Sequence, residues 1–278
     1  MKQVGVHNHR TLYIITGPAL FREKKSKKGL KMKDAIRVTV WNEGIHEKTL
    51  KRCQETYPEG MGKAIGQCLE KQPDIASVHY SQLDDPDQGL SDEILQNTDV
   101  MTWWGHTAHD KVTDENAARV QKRVLEGMGL IVLHSGHMSK PFMRLMGTGC
   151  FLKWREYGEN GEKERLWVVD PSHPIVEGVP ECIELPNAEM YGEPFGIPQP
   201  DQQVFISWFQ GGEVFRSGCC WHREAGKVFY FRPGHETFPI FFNEHVRMVI
   251  HNAVRWAAPV RLANGYTQGN VQPLEKME

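Results

Sequence analysis

The 278-residue chain is 40% hydrophobic and 24% charged, with a formal net charge of −2. That balance supports a full globular core and excludes a disordered chain, and the small charge offers no general attraction to nucleic acid or an anionic membrane. The length suits one large α/β domain or two small ones, and six cysteines without C-x-x-C spacing read as reduced core thiols of a cytoplasmic protein.

The chain opens with an apolar stretch, Thr11–Phe21, too short to span a bilayer. Basic residues follow it from Arg22 to Lys33, whereas a signal peptide carries its positive charge ahead of the apolar segment. Met32 stands just before the first strand, and Lys27-Lys28-Gly29 implies purine-rich codons shortly upstream, as an in-frame ribosome-binding site would. Residues 1–31 are therefore expected to be an extension from an over-called start, with the domain over 32–262 and a tail over 263–278.

From Met32 onward strands and helices alternate. Ala35–Trp41 is a β-branched run of the kind buried on both faces. Gly62–Lys71 places Ala64, Ile65, Cys68 and Leu69 at helical spacing, and Ile75–Tyr80 and Val100–Trp104 read as further strands. Thr113 is expected to cap a helix with Asp114 and Glu115 in its first turn, ending near Gly127, before a fourth strand at Leu130–Leu133. Between Gly147 and Gly212 helical periodicity fades, and short strands at Leu166–Val169, Cys182–Leu185 and Phe205–Trp208 are separated by Pro and Gly clusters. The sheet is expected to resume with Val214–Cys220 and Val228–Phe231, and Glu244–Ala258 closes the chain as an amphipathic helix. The pattern predicts an α/β fold, a doubly wound and mostly parallel sheet with a strand-rich insert over 147–212.

Histidines recur where these strands would end. His46 follows the first, His106 and His109 the third, His134 and His137 the fourth, and His235-Glu236 the last. In an open α/β sheet the carboxyl ends of the strands border one crevice, so groups far apart in sequence can meet there. Imidazole is both a metal ligand and a proton carrier, and several of them with Glu43 or Glu236 suit zinc or another borderline divalent ion. His134 is better placed than Ser135 to project from the strand-to-helix elbow, because a small residue, Gly136, lies two positions after it. Structural roles compete throughout: a histidine bonded to backbone at the elbow, His109 paired with Asp110, Arg232 paired with Glu236 or Glu43. Trp41, Trp103 and Trp104 are either an aromatic platform for a sugar or core.

Four segments carry a resemblance: Val40-Trp41-Asn42-Glu43 with His46-Glu47, Trp103-Trp104-Gly105-His106 with His109-Asp110, Gly129 to His137, and Phe229 to Glu236. Leu166 to Gly178 and Glu189 to Glu193 add to it. Over roughly residues 36–259 the chain resembles the ThuA-like, trehalose-utilisation family. The resemblance implies a flavodoxin-like sheet related to class I glutamine amidotransferases. Where that superfamily carries a catalytic cysteine, this chain has His134-Ser135-Gly136 and no cysteine nearby, so glutamine hydrolysis is not expected; the late His-Glu pair is similar, at His235-Glu236. The implied role is disaccharide catabolism through 3-keto sugars.

The expected protein is a cytoplasmic, metal-dependent enzyme, forming a homo-oligomer, that isomerises, eliminates from, hydrates or hydrolyses a disaccharide or 3-keto sugar. Its partner is a small carbohydrate, with no nucleic acid or membrane. His46, His106, His134 and His235 are the expected ligands of a divalent metal, zinc first and manganese or iron next. His134, His137, His235 and Glu236 are the candidate catalytic groups, and Asn42, Glu43, Trp104, Ser135 and Arg232 the candidate substrate contacts. Two alternatives stand beside this: a metal-free hydrolase using Ser135, His235 and Glu236, and a non-catalytic sugar-binding or regulatory subunit that depends on Trp103 or Trp104.

Overall fold

Strand β1 (Ile36–Asn42) pairs in parallel with β2 (Ile75–Gln82) on one side and β3 (Val100–Trp104) on the other. Next come β4 (Gly129–Leu133) and β11 (Gly226–Phe231), also parallel. The computed structural model describes residues 35–260 and 272–277. The expected boundaries at 31 and 262, and the Thr11–Phe21 stretch, lie outside the described residues. Beyond β11 the same sheet continues antiparallel through β10 (Val214–Arg223), β9 (Gln202–Phe209), β6 (Glu162–Val168) and β7 (Cys182–Ala188). The strand-rich segment thus extends the central sheet, except for β5 (Lys153–Arg155) and β8 (Met190–Gly192), which form a separate two-stranded ribbon.

The expected strands are all present, with ends moved by a few residues. The largest change is β6, which begins at Glu162 instead of Leu166. Its charged residues obscure it in the sequence; Glu162 and Glu164 are buried because Arg155 and Arg232 pair with them.

Strands β1, β3, β4 and β11 are buried on both faces, whereas the edge strand β2 is largely exposed, and alternate residues of the buried strands serve different cores. Val100 and Trp104 of β3, with Ile131 and Leu133 of β4, face α3 (Met61–Glu70) and α7 (Glu244–Ala257). Met101 and Trp103, with Leu130 and Val132, face α5 (Asp114–Leu125) and α6 (Lys140–Met146). Thr113 caps α5 as expected, its hydroxyl accepting the Asn116 amide at 3.2 Å. Asn243 caps α7 by accepting from the amides of His245 and Val246. Three short helices, α1 (His46–Thr49), α2 (Lys51–Thr56) and α4 (Asp92–Gln96), are too brief to leave a periodic signature.

Candidate active site

Strands β1, β3, β4 and β11 are consecutive neighbours in the sheet, and the histidine-bearing turns leave from their carboxyl ends. The turn after β1 passes through Gly44, at φ +67°, and delivers His46 at the start of α1. After β3 the chain bends at Gly105 and presents His106, whose ring lies parallel to that of Trp104, 10° between planes and 6.1 Å between centroids. After β4 it enters a turn of 3-10 helix, His134–Met138, in which His134 has φ +50°. A non-glycine residue is rarely held there, so the elbow conformation is imposed by its surroundings. After β11, Pro233-Gly234 turns the chain to His235 and Glu236; Gly234 has φ +136°, and a side chain there would meet the ring of Phe241 at 2.5 Å.

The side chains converge as two sets, each with one donor atom per residue and all donors within 4.8 Å of one another. The inner set, fully buried, is His134, Glu189 and His235; the outer is His46, His106 and Glu236. The expected metal ligands therefore divide two and two, and each pair of imidazoles is completed by a carboxylate. His134 Nε2 is 3.1 Å from Glu189 Oε2, and His235 Nε2 is 3.9 Å from the same oxygen. The Glu236 carboxylate lies between the sets, with Oε1 3.9 Å from His46 Nε2 and Oε2 3.7 Å from His235 Nε2.

Backbone contacts decide which imidazole nitrogen carries the proton. His134 Nδ1 is 3.0 Å from the Arg232 carbonyl, which only accepts, so Nδ1 bears the hydrogen and Nε2 presents its lone pair to Glu189. His137 repeats the arrangement, donating Nδ1–H to the Cys150 carbonyl at 2.8 Å. His235 Nδ1 lies 2.9 Å from the Thr237 hydroxyl and 3.2 Å from its amide. Burial holds His134 and His235 well below the ordinary imidazole range and brings His109 and His137 down to about 4, so these rings are neutral near pH 7. Burial acts the opposite way on the carboxyls, raising Glu189 and bringing Glu236 up to about 7.

A cavity of about 500 Å³ opens over these groups. His106, His109, Ser135, His137, Glu189, Tyr191, His235 and Glu236 form its polar wall, and Met138, Phe151, Trp154 and Glu156 its rim. His46 and His134 stand behind the wall and reach it through Glu236 and Glu189.

Four expected substrate contacts are placed elsewhere, each for a visible reason. Trp104 is wholly buried beneath His106. Trp41 and Trp103 stack in the core with centroids 3.8 Å apart, so none of the three tryptophans offers a sugar its face. Arg232 is fully buried, its guanidinium bonded to Glu164 and to the carbonyl of Glu189. Asn42 bonds Glu47 and the Gly44 amide. Glu43 accepts from the amides of His106, Thr107 and Ala108 at 2.7, 3.0 and 3.1 Å and thereby fixes the His106 loop. Burial would raise this carboxyl, but the three amide donors outweigh it and hold Glu43 below the ordinary carboxylate range. Ser135 does reach the cavity, yet its hydroxyl donates to the Gly105 carbonyl at 2.7 Å and not to a histidine.

Glu189 and Tyr191 were not singled out as site residues from the sequence. Tyr191 stacks on His134, 4.8 Å between centroids and 9° between planes. Glu189 lies between β7 and β8 and Tyr191 in β8 itself, more than fifty residues from His134, and the only signal for them is their place in the Glu189–Glu193 segment of the family resemblance.

A mixed sheet with a histidine- and glutamate-lined cavity at the carboxyl ends of its parallel strands defines an α/β protein of the doubly wound type, with the cavity where such sheets place a candidate site. The family described as trehalose utilisation, ThuA, matches residues 37–257, and the chain belongs to that family. The fold is similar to a ThuA-like protein of Parabacteroides merdae (TM-score 0.60, 13% identity, 84% of this chain and 93% of that one). It is also similar to a ThuA-like protein of Bacteroides uniformis (TM-score 0.56, 14% identity, 80% and 90%). A cytoplasmic protein of Salmonella typhimurium compares at TM-score 0.55, with 14% identity over 81% of this chain and 100% of that one. No curated protein matches the chain by sequence. No helix among the described residues is long and apolar enough to cross a membrane.

Proposed function

We propose that this protein is a metal-dependent enzyme of disaccharide or 3-keto sugar catabolism, with a divalent cation, zinc before manganese or iron, held by His134, Glu189 and His235. The observation that carries this reading is the fixed tautomer of His134. Its Nε2 lone pair faces Glu189 Oε2, which has no hydrogen-bond donor although it is buried. Two electron-rich atoms at that distance repel unless a proton or cation lies with them. A ligating imidazole commonly donates its other N–H to a carbonyl or carboxylate, as His134 does to Arg232. On His235, the Thr237 hydroxyl can accept the Nδ1 proton and free Nε2 as a ligand, at the expense of the longer amide contact.

The cation would supply polarisation of a sugar carbonyl and its neighbouring oxygen. His137, with its proton committed to Cys150 and its Nε2 unprotonated near pH 7, lines the cavity and is the group proposed to take the proton from the carbon beside the polarised carbonyl and return it. Phe151 and Trp154, exposed at the rim, offer apolar faces to a sugar ring. Proton removal next to a carbonyl is shared by isomerisation and elimination. The serine-hydrolase alternative is disfavoured by the bond from Ser135 to Gly105.

We assign the protein to the cytoplasm, in keeping with its free cysteines and with the description of the Salmonella relative, and expect a symmetric homo-oligomer. The test is to incubate the zinc-loaded protein with 3-keto glucosides in D₂O and follow by NMR the proton on the carbon beside the carbonyl. Exchange or conversion that falls by about 10²-fold or more in His137→Gln supports the proposal. No exchange above the buffer rate across the 3-keto glucosides would refute it.

A further inference from the structure

We infer that the cavity holds a second divalent cation, bound by His46, His106 and Glu236, with Glu236 bridging it to the inner set. The inference rests on the proposed cation at His134, Glu189 and His235, and adds a site with its own evidence. The donors of the outer set lie within 4.8 Å of one another on three elements, the β1 turn, the β3 turn and the β11 turn. They have been left without other partners. His46 Nδ1, His106 Nδ1 and Glu236 Oε2 are buried and accept or donate no hydrogen bond. A buried polar group without a partner costs roughly 1–3 kcal/mol, more when charged, so each of these three residues carries an unmet polar atom in the same small cluster of donors.

The Glu236 carboxylate supplies the link. Its side chain is 6% exposed, and its two oxygens point to different sets, one 3.9 Å from His46 Nε2 and the other 3.7 Å from His235 Nε2. A carboxylate so placed can give one oxygen to each of two cations, as in centres whose metals stand roughly 3.5–4 Å apart. Donor identity is consistent across both sets: two imidazoles and a carboxylate each, a combination suited to zinc or manganese. The loop carrying His106 is pinned by Glu43 through three amides, so this donor is set in place before any ion arrives. Two adjacent cations would suit a substrate offering two neighbouring oxygens, such as the carbonyl and hydroxyl of an α-hydroxy ketone.

The experiment is to strip tag-free, full-length protein with a chelator, dialyse the chelator away, and titrate it with Mn²⁺. Stoichiometry is read by calorimetry and spin coupling by electron paramagnetic resonance. Three variants accompany the wild type: His46→Ala/His106→Ala, Glu189→Gln and Glu236→Gln, each checked for folding by circular dichroism. The inference predicts two ions per chain with exchange-coupled spectra in the wild type, one uncoupled ion in either of the first two variants, and loss of coupling in Glu236→Gln. One ion in the wild type, retained in His46→Ala/His106→Ala, would overturn the second site and leave the inner one standing. No bound ion at all would overturn both. Two ions in the wild type and in His46→Ala/His106→Ala would overturn the ligand assignment made here.

Discussion

The main-chain carbonyl of Arg232 accepts the Nδ1 proton of His134 at 3.0 Å, while the side chain of the same arginine holds the carbonyl of Glu189. One residue thus orients both members of the His134–Glu189 pair. Its charge is balanced by Glu164, itself wholly buried and bonded to the Ser207 hydroxyl. Replacing Arg232 by Met leaves the Glu164 carboxylate without its cation, which costs about 3–5 kcal/mol. Urea denaturation should show that loss, and the Glu164→Gln/Arg232→Met double variant should recover part of it. Equal stability of wild type and Arg232→Met would mean the pair is not buried as described.

Acid should destabilise the metal-free protein through its buried imidazoles. The folded state holds His109 and His137 at about 4, against about 6.5 in an unfolded chain. Between those values the unfolded state binds more protons, so stability falls as pH drops from 6.5 towards 4, and these two groups add no further loss below that. Each contributes at most about 1.4 kcal/mol per pH unit inside the window. Urea midpoints between pH 7 and 4.5 should decline, and His109→Gln/His137→Gln should flatten the decline. An unchanged slope in the double variant would show these rings solvated.

Much of this site could be read in the sequence. The β-branched runs are clear, and a histidine just after such a run in an α/β chain falls at the ligand-binding edge of the sheet. His46, His106, His134 and His235 were locatable for that reason, before any pairing of strands was known. The carboxylates were harder. Glu189 falls between β7, at the edge of the sheet, and β8, in the separate ribbon, and nothing in composition reveals that this join returns to the elbow. Arg232 and Glu43 have the right chemistry for substrate contacts, but their buried partners, Glu164 and the His106–Ala108 amides, are fixed by tertiary contacts that spacing does not encode. The tryptophans misled for a related reason, since an aromatic at a strand end is equally suited to the core.

Glu43→Gln should loosen the His106 loop while leaving the sheet intact. The amide keeps one acceptor but turns donors towards amides that already donate, so the charge-assisted bonds to His106, Thr107 and Ala108 are lost in part. Hydrogen exchange at these three positions should accelerate by about 10-fold or more, equivalent to about 1.4 kcal/mol, with β3 and β4 unaffected. Unaltered protection of the loop would remove Glu43 from this role.

Ser135→Ala separates the metal enzyme from a serine hydrolase. The hydroxyl makes one bond, to Gly105, so its loss should cost about 1 kcal/mol of stability and leave the rate within severalfold of wild type. Abolished turnover with unaltered folding would restore Ser135 as a nucleophile.

The most direct test of the central claim is elemental analysis of the tag-free protein beside a His134→Ala/His235→Ala double variant of verified fold. The account predicts zinc, manganese or iron at one or more equivalents per chain in the wild type, with a loss of at least one equivalent in the variant. Wild-type protein that carries no metal and takes up none when zinc, manganese or iron is supplied would contradict it, and leave the buried imidazoles as metal-free acid–base or structural groups.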